Sequence, residues 1–137
     1  MKEQTIFELI HNMDKFTSNL IILWNKTFNE ELGISHILVL GHIQDKGKSR
    51  PSDIAKTLGL TPATLTHLSD KLVQKKLAVR VTDDFDRRII YLQITDKGID
   101  TVYRAHLEGQ LLRRNLLEKL TEEERDQLAK IYGKINN

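Results

Sequence analysis

The chain has 137 residues, with 21 basic and 19 acidic side chains and a formal net charge of +2. This length corresponds to one domain, with a hydrophobic core large enough to fold without disulfides. There is no cysteine, which excludes disulfides, thiolate metal sites and thiol redox sensing. The longest apolar run, Leu20 to Trp24, is too short to span a bilayer. The first residues begin no signal peptide, so we expect a soluble, cytoplasmic protein with no membrane partner.

The net charge is too small to mark a general nucleic-acid binder, but the charges are unevenly distributed. From Lys46 to Lys97 the basic residues outnumber the acidic ones. The central segment is therefore the electropositive part of the chain.

The amino-terminal segment predicts one long helix, from Thr5 to about Leu32, with no Gly or Pro inside it. Its apolar residues keep the three-and-four spacing of one helical face: Ile6, Leu9, Ile10, Met13, Phe16, Leu20, Leu23, Trp24 and Phe28. A small core cannot cover so long an apolar face, so a second subunit is the expected cover. The alternative is a helix packed wholly within its own monomer.

A second helix is predicted after a break at Gly33. Ser35 is expected to cap it and Gly47 to end it, and its apolar positions are expected to belong to the core. Lys48 and Ser49 then lead towards the next helix as a predicted third strand of a small sheet.

Two short helices come next, with almost no chain between them. The first begins at Pro51, whose fixed φ suits the first helical position, and ends at Gly59. Thr61 is expected to cap the second helix through its hydroxyl, and Pro62 again occupies a first helical position. A helix, a short turn and another helix form a helix-turn-helix.

The second of these helices has distinct inner and outer faces. The inward positions are apolar and recur at helical spacing: Leu65, Leu68, Leu72 and Val73. The outward positions are mostly small, hydroxylated or weakly basic: Pro62, Ala63, Thr64, Thr66, His67, Asp70 and Lys71. Such side chains can approach base edges and phosphates in a major groove, where bulky apolar groups could not hydrogen-bond. The alternative is an ordinary solvated face.

Two alternating, β-branched runs predict a hairpin, from Val79 to Thr82 and from Arg88 to Ile94. Its tip, starting at Asp83, contains turn-forming acids followed by two adjacent arginines. Narrow minor grooves attract an arginine presented in this way, so we interpret the hairpin as the wing of a winged helix-turn-helix. The alternative is a solvated charged turn with local ion pairs.

Two further helices are predicted after the hairpin. Thr95 is expected to cap the first, and Thr121 with Glu124 forms the capping-box pattern that begins the second. Their apolar faces, together with that of the first helix, predict an isologous homodimer interface. The residues assigned to this interface are Ile6, Leu9, Ile10, Met13, Leu111, Leu112, Leu116, Leu128, Ile131 and Ile135.

The sequence has no catalytic or metal-binding pattern. His36 and His42 are six residues apart and lie on different helix faces. No His-Glu-x-x-His, glycine-rich phosphate loop or nucleophile elbow occurs. We therefore expect no enzyme activity, no cofactor and no metal ion. A metal site built from His42 and His106 across helices is the remaining alternative.

Several of these segments together resemble the winged-helix signature of the multiple-antibiotic-resistance-regulator (MarR) family. The matching stretches are residues 51–55, 59–61, 64–72, 86–88 and 94–98, and the length and flanking helices extend the resemblance to the whole chain. The most specific part is the Asp-x-Arg of the wing followed by a hydrophobic-Thr-x-x-Gly end. The resemblance implies a mainly α fold with a small β-hairpin wing, in a dimeric transcription regulator. It also implies that Arg88 enters the minor groove and that Asp86 orients it.

The helix faces and the resemblance together assign the residues that bind double-stranded DNA. These residues are Arg50, Pro62, Ala63, Thr64, Thr66, His67, Lys71, Asp86, Arg87 and Arg88. The chain is then a single domain, in which residues 34–97 form the winged helix-turn-helix and residues 1–33 and 98–137 form the dimerisation helices. Two positions depart from the family pattern: Lys76 stands where a glycine usually ends the recognition helix, and Arg50 stands where a Ser or Thr usually caps the preceding helix.

These observations predict a homodimeric repressor that binds a palindromic operator and responds to a small ligand, bound where the dimer helices meet the DNA-reading region. Family analogy suggests a small aromatic or lipophilic effector, although Phe16, Trp24 and Phe28 are more typical of plain dimer core than of a pocket wall. The rival hypothesis is a winged-helix protein-interaction adaptor that does not bind DNA. An adaptor needs neither the outward wing arginine nor the small residues on the reading helix.

Overall fold

The computed structural model describes residues 3–28 and 30–137, with side chains described from residue 5 onwards. Within these residues the order of elements is α1 Glu3–Thr27, α2 Ile34–Lys46, α3 Pro51–Leu58, α4 Pro62–Gln74, β1 Ala78–Thr82, β2 Ile90–Ile94, α5 Asp96–Leu117 and α6 Glu122–Asn136. The two strands pair antiparallel as a hairpin, with Arg80 opposite Leu92. The predicted fold class, mainly α with a small β-hairpin wing, is confirmed.

The chain divides into two compact units. The terminal unit comprises the chain up to residue 27 together with residues 107–137, and the reader unit comprises residues 28–106. These limits lie several residues away from the predicted ones at 33/34 and 97/98. The assignment of the terminal helices to dimerisation stays a prediction.

The core of the reader unit is built from α2, α3, α4 and the hairpin. Its most deeply buried apolar side chains come from these elements and from the turn before β1: Val39, Leu40, Ile43, Ile54, Leu65, Leu72, Leu77 and Leu92. The inward face predicted for α4 is buried, although Val73 is only partly covered and Ser69 is buried as well. Burying a side chain of this size stabilises the fold by about 1.5–3 kcal/mol. Packing therefore holds the short α3 in place, because a helix of its length is not stable alone.

The first turn of α5 is attached to the carboxyl end of α4. The Thr95 hydroxyl accepts the Gly98 N–H (3.1 Å) as an N-cap and donates to the Lys76 carbonyl (2.8 Å). The Thr95 N–H donates to the Leu77 carbonyl (3.1 Å). A Cβ on Gly98 would lie 2.2 Å from that same carbonyl oxygen, so this close approach requires glycine. Lys76 has a left-handed backbone with φ of 63°, at the position where the family pattern has glycine.

The helices of the terminal unit expose long apolar faces. α6 buries none of its residues, and Trp24 is the one buried side chain among those described in α1. The exposed apolar side chains include Ile6, Leu9, Ile10, Met13, Leu111, Ile131 and Ile135, and Leu112, Leu116 and Leu128 are partly covered. Every residue predicted to lie in the dimer interface therefore has free surface in the single chain.

The predicted end of α1 was wrong. The helix ends at Thr27 rather than near Leu32. Phe28 and Leu32 are both buried, and Glu31 has a left-handed backbone with φ of 58°, which no helix can contain. Phe28 and Leu32 continue the apolar spacing of α1 but belong to the core of the reader unit. Residue 29 lies outside the described part of the chain.

The predicted cap of α2 was also wrong. The helix begins at Ile34, and its N-cap is Gly33 rather than Ser35. The Gly33 N–H donates to Nδ1 of His36 (3.0 Å), so an imidazole three residues into the helix provides the capping hydrogen bond. Gly47 ends the helix as predicted.

Ser49 forms a single bridge where a third strand was predicted. Its N–H donates to the Leu92 carbonyl (3.1 Å), and the Leu92 N–H donates to the Ser49 carbonyl (2.8 Å). Within the described residues the sheet has two strands. The second begins at Ile90 rather than at Arg88, because Arg88 belongs to the turn.

Candidate nucleic-acid interface

Helix α4 presents hydroxyl groups on an exposed face. The Thr61 hydroxyl caps the helix by accepting the Thr64 N–H (3.1 Å), and it donates its proton to the Thr64 hydroxyl oxygen (2.8 Å). Thr66 donates its proton to the Pro62 carbonyl (2.9 Å). The Thr64 proton and the Thr66 lone pairs are left for an external partner, so Thr64 can donate and Thr66 can accept. Of the other predicted members of this face, Ala63 and His67 are exposed and Lys71 is partly covered.

The carboxylate on this face of α4 is neutralised by a strand residue. Asp70 forms an ion pair with Arg80 of β1, between Oδ1 and Nη2. The pair connects α4 to the hairpin and reduces the repulsion that a free carboxylate would exert on a phosphate backbone. Arg80 was not predicted as a partner of Asp70, because a separation of ten residues across a turn follows neither a helical nor a strand period.

Asp86 holds the Arg88 side chain at the tip of the hairpin. Asp86 Oδ1 accepts the Arg88 backbone N–H (3.0 Å) and the Nε–H (3.1 Å), and Oδ2 accepts from Nη2 (3.0 Å). These hydrogen bonds lower the pKa of Asp86 and raise the pKa of Arg88. The Arg88 side chain is nevertheless 90% exposed, so its outer N–H groups remain available to a ligand. The pairing expected from the family pattern is present.

A second carboxylate, Asp83, organises the rest of the tip. Its Oδ2 accepts the N–H groups of Phe85 and Asp86 (both 3.1 Å), and its Oδ1 accepts the Tyr91 hydroxyl proton (2.9 Å). The bond to Tyr91, followed by the bond to the Phe85 N–H, lowers the pKa of Asp83. The ammonium of Lys48 lies 5.0 Å from the centre of the Tyr91 ring, within the range of a cation–π contact. From the sequence, Asp83 was predicted only as a turn former, and the roles of Tyr91 and Lys48 were not predicted.

Arg50 and Arg87 are the remaining predicted cations of this surface. Arg50 is the exposed N-cap of α3, and its side chain makes no capping hydrogen bond. The preceding residue, Ser49, is bridged to Leu92 of β2, so Arg50 follows directly on the hairpin. After the hydrogen bonds from Arg88, the charge of Arg50 also lowers the pKa of Asp86. Arg87 is exposed at the tip. The reader unit therefore combines a hydroxyl-bearing helix face with a cluster of arginines.

The described residues also bear on metal binding and on membrane insertion. In the described part of the chain, no group of three or more His, Asp or Glu side chains is arranged to hold a metal ion, so the pair His42 and His106 has no such group to complete it. No helix in that part is both long enough and apolar enough to cross a membrane.

A helix-turn-helix followed directly by a hairpin with an exposed, carboxylate-held arginine defines a winged helix-turn-helix DNA-binding protein. The MarR family model matches residues 31–89. The HTH-type transcriptional repressor MdtR of Bacillus subtilis is 34% identical over 109 residues, which cover 77% of this chain and 70% of that protein. The chain belongs to the MarR family and is a DNA-binding transcription regulator. Its relatives are transcription regulators rather than enzymes.

Solved structures share the fold over almost the whole chain. The YusO protein from Bacillus subtilis has a TM-score of 0.82 at 24% identity, covering 99% of this chain and 97% of that one. The organohalide-sensing transcriptional regulator RdhR, in its 2,4-dichlorophenol-bound form, has a TM-score of 0.72 at 18% identity, covering 100% of this chain and 81% of that one. At these identities the likeness establishes the fold alone.

Proposed function

We propose that this regulator is a homodimeric repressor that binds a palindromic operator and releases it when a small ligand binds. The observation that carries the DNA-contact assignment is the guanidinium of Arg88, oriented by two oxygens of Asp86 yet open to solvent. Minor grooves attract arginines presented in this way, and the exposed hydroxyl face of α4 has the size and polarity that suit a major groove.

The homodimer is supported by the exposed apolar faces of the terminal unit. Ile6, Met13 and Ile135 lie at 45%, 65% and 68% exposure, although each continues an apolar face. A second copy of the chain would cover these faces with the same surface, which is an isologous contact. Two-fold symmetry then predicts half-sites whose centres lie about 10 base pairs apart. Sedimentation should give a dimer at micromolar concentration, and a folded monomer would refute this part of the proposal.

A small aromatic or lipophilic effector is supported by a cleft in the reader unit. The cleft measures about 560 Å³, a volume suited to a small organic molecule. Its lining consists of Gln44, Asp96, Ile99, Asp100, Val102, Tyr103 and His106. Apolar and hydrogen-bonding groups are both present, beside two carboxylates, of which that of Asp100 is paired with Arg104. The relative RdhR is known in a form bound to 2,4-dichlorophenol, and MdtR is a repressor. With 2,4-dichlorophenol as the probe, release of bound DNA should require a higher concentration for Tyr103→Ala than for the wild type.

The DNA-contact assignment is tested on a site selected from random DNA by the wild-type protein. Arg88→Ala should weaken binding to this site about tenfold or more per contact. Arg114→Ala is the matched control, because Arg114 is also exposed and also paired with a carboxylate, that of Glu118. Fluorescence anisotropy measures both. If Arg88→Ala binds like the wild type, the wing assignment is wrong; if the wild type selects no DNA sequence, the adaptor hypothesis is favoured.

A further inference from the structure

We propose that Phe85 is a second DNA contact of the wing, an apolar wedge that enters the minor groove beside Arg88 and inserts against a base step. This inference rests on the proposed function, because the wing must lie in the groove for the wedge to reach it. Phe85 is 98% exposed, the highest value among the large apolar side chains that the structure describes. A phenyl ring at the very tip of a loop contributes nothing to the core of the single chain and is free to contact a partner.

The backbone on both sides of Phe85 is fixed in place. One oxygen of Asp83 accepts the N–H groups of Phe85 and Asp86. The Ile89 N–H donates to the Asp86 carbonyl (3.0 Å), and the Asp83 N–H donates to the Ile89 carbonyl (2.9 Å), which closes the loop. Because the loop is already ordered, seating the ring in a groove costs little additional conformational entropy.

The acids around Phe85 do not prevent an approach to DNA. Asp86 is paired with Arg88, and the carboxylate of Asp83 is engaged by three hydrogen-bond donors. Asp84 is exposed, as is Arg87 of the same tip, which carries the opposite charge. The charged neighbours also argue against a protein partner at this place, since the centre of a protein interface is depleted of charge and much larger than one ring.

Minor-groove proteins use apolar side chains, phenylalanine among them, as wedges that partly unstack a base step and bend the duplex. Pyrimidine–purine steps unstack most easily, so the wedge should favour such a step beside the position of Arg88. The wing would then read sequence through deformability as well as through the arginine.

The experiment uses full-length protein and the site that the wild type selects from random DNA. Phe85→Ala should bind this site about tenfold more weakly per wing, from the lost burial of the ring. The affinity of Phe85→Ala should depend on salt concentration as steeply as that of the wild type, because no charge is removed. 2-Aminopurine fluoresces more strongly when it is unstacked, so with this base at the contacted step the wild type should raise the fluorescence on binding. Phe85→Ala should not. Phe85→Leu should keep most of both effects, and Leu38→Ala, which truncates an exposed apolar side chain of α2, should behave like the wild type.

The failure of this inference is distinguishable from failure of the proposed function. If Arg88→Ala loses affinity while Phe85→Ala binds and unstacks like the wild type, the wedge is refuted and the function stands. If Phe85→Ala changes the sedimentation coefficient but not DNA binding, the ring contacts another copy of the chain and the wedge is again refuted. If the wild type selects no DNA sequence, both are refuted.

Discussion

Replacing Gly98 with alanine would disrupt the attachment of α5 to the end of α4. The added Cβ would lie 2.2 Å from the Leu77 carbonyl oxygen and 2.7 Å from a side-chain carbon of Ile94. Overpacking of this kind costs about 1–3 kcal/mol. Moving the carbonyl away would also weaken its hydrogen bond with the Thr95 N–H, at a cost of about 1 kcal/mol. The better helix propensity of alanine returns at most about 1 kcal/mol, so the net loss of stability is about 1–3 kcal/mol.

Thermal unfolding followed by circular dichroism measures this loss. A chain of this size loses about 2–4 °C in melting temperature per kcal/mol, so Gly98→Ala should melt about 2–12 °C below the wild type. Gly41→Ala is the matched control, because an added Cβ there has no neighbour within 4 Å. It should gain about 0.5–1 kcal/mol from helix propensity. A melting temperature of Gly98→Ala equal to or above that of the wild type would show that the close approach imposes no constraint.

Three further outcomes are expected. Asp86→Ala should weaken operator binding about two- to tenfold per wing, which is less than the loss for Arg88→Ala, because the orientation of the arginine is lost while its charge remains. Equal losses for the two variants in anisotropy titrations would contradict an orienting role for Asp86. Burial, and then nearby positive charges, lower the pKa of His36 in the folded state, so the unfolded chain takes up the proton first. Stability should therefore fall as the pH drops through about 6.5, and denaturant titrations of His36→Gln should show a weaker dependence. Arg80→Ala should weaken DNA binding by freeing the carboxylate of Asp70, and the double variant with Asp70→Ala should recover part of the loss, whereas additive effects would mean that the pair is not coupled.

Local signals in the sequence predicted most of the fold. Pro51, Gly59, Thr61 and Thr121 each start or end a helix where their backbone preference or hydroxyl requires it, and the structure places them there. These positions were predictable because a cap depends on residues within one helical turn.

The two boundaries that failed have different causes. Phe28 continues the spacing of α1, and only the core that buries it shows that the helix has already ended. Ser35 is a better intrinsic cap than Gly33, but the imidazole of His36 supplies the hydrogen bond instead. The first boundary depends on contacts with distant residues, whereas the second depends on a contact within one helical turn that the usual preference for serine as a cap does not include.

The contacts of the candidate site likewise divide into local ones, which were predictable, and contacts between elements, which were not. The outward face of α4 followed from periodicity, and the pairing of Asp86 with Arg88 spans only two residues. The ion pair of Asp70 with Arg80 and the bond from Tyr91 to Asp83 cross between elements, so their partners were missed. These contacts depend on how α4, β1 and β2 lie against one another, and the sequence analysis predicted neither this packing nor the register of the strands.

The attachment of α5 also bears on what a family pattern diagnoses. Thr95 and Gly98 belong to the segment that resembles the family most specifically, yet their hydrogen bonds and close approach are internal to the reader unit. A homologue that no longer bound DNA would still need both residues to fold. Selection for DNA binding would no longer preserve Asp86 and Arg88 at its wing. In an uncharacterised winged-helix protein, the threonine and the glycine therefore indicate common ancestry. The Asp–Arg pair of the wing indicates whether DNA binding has been retained.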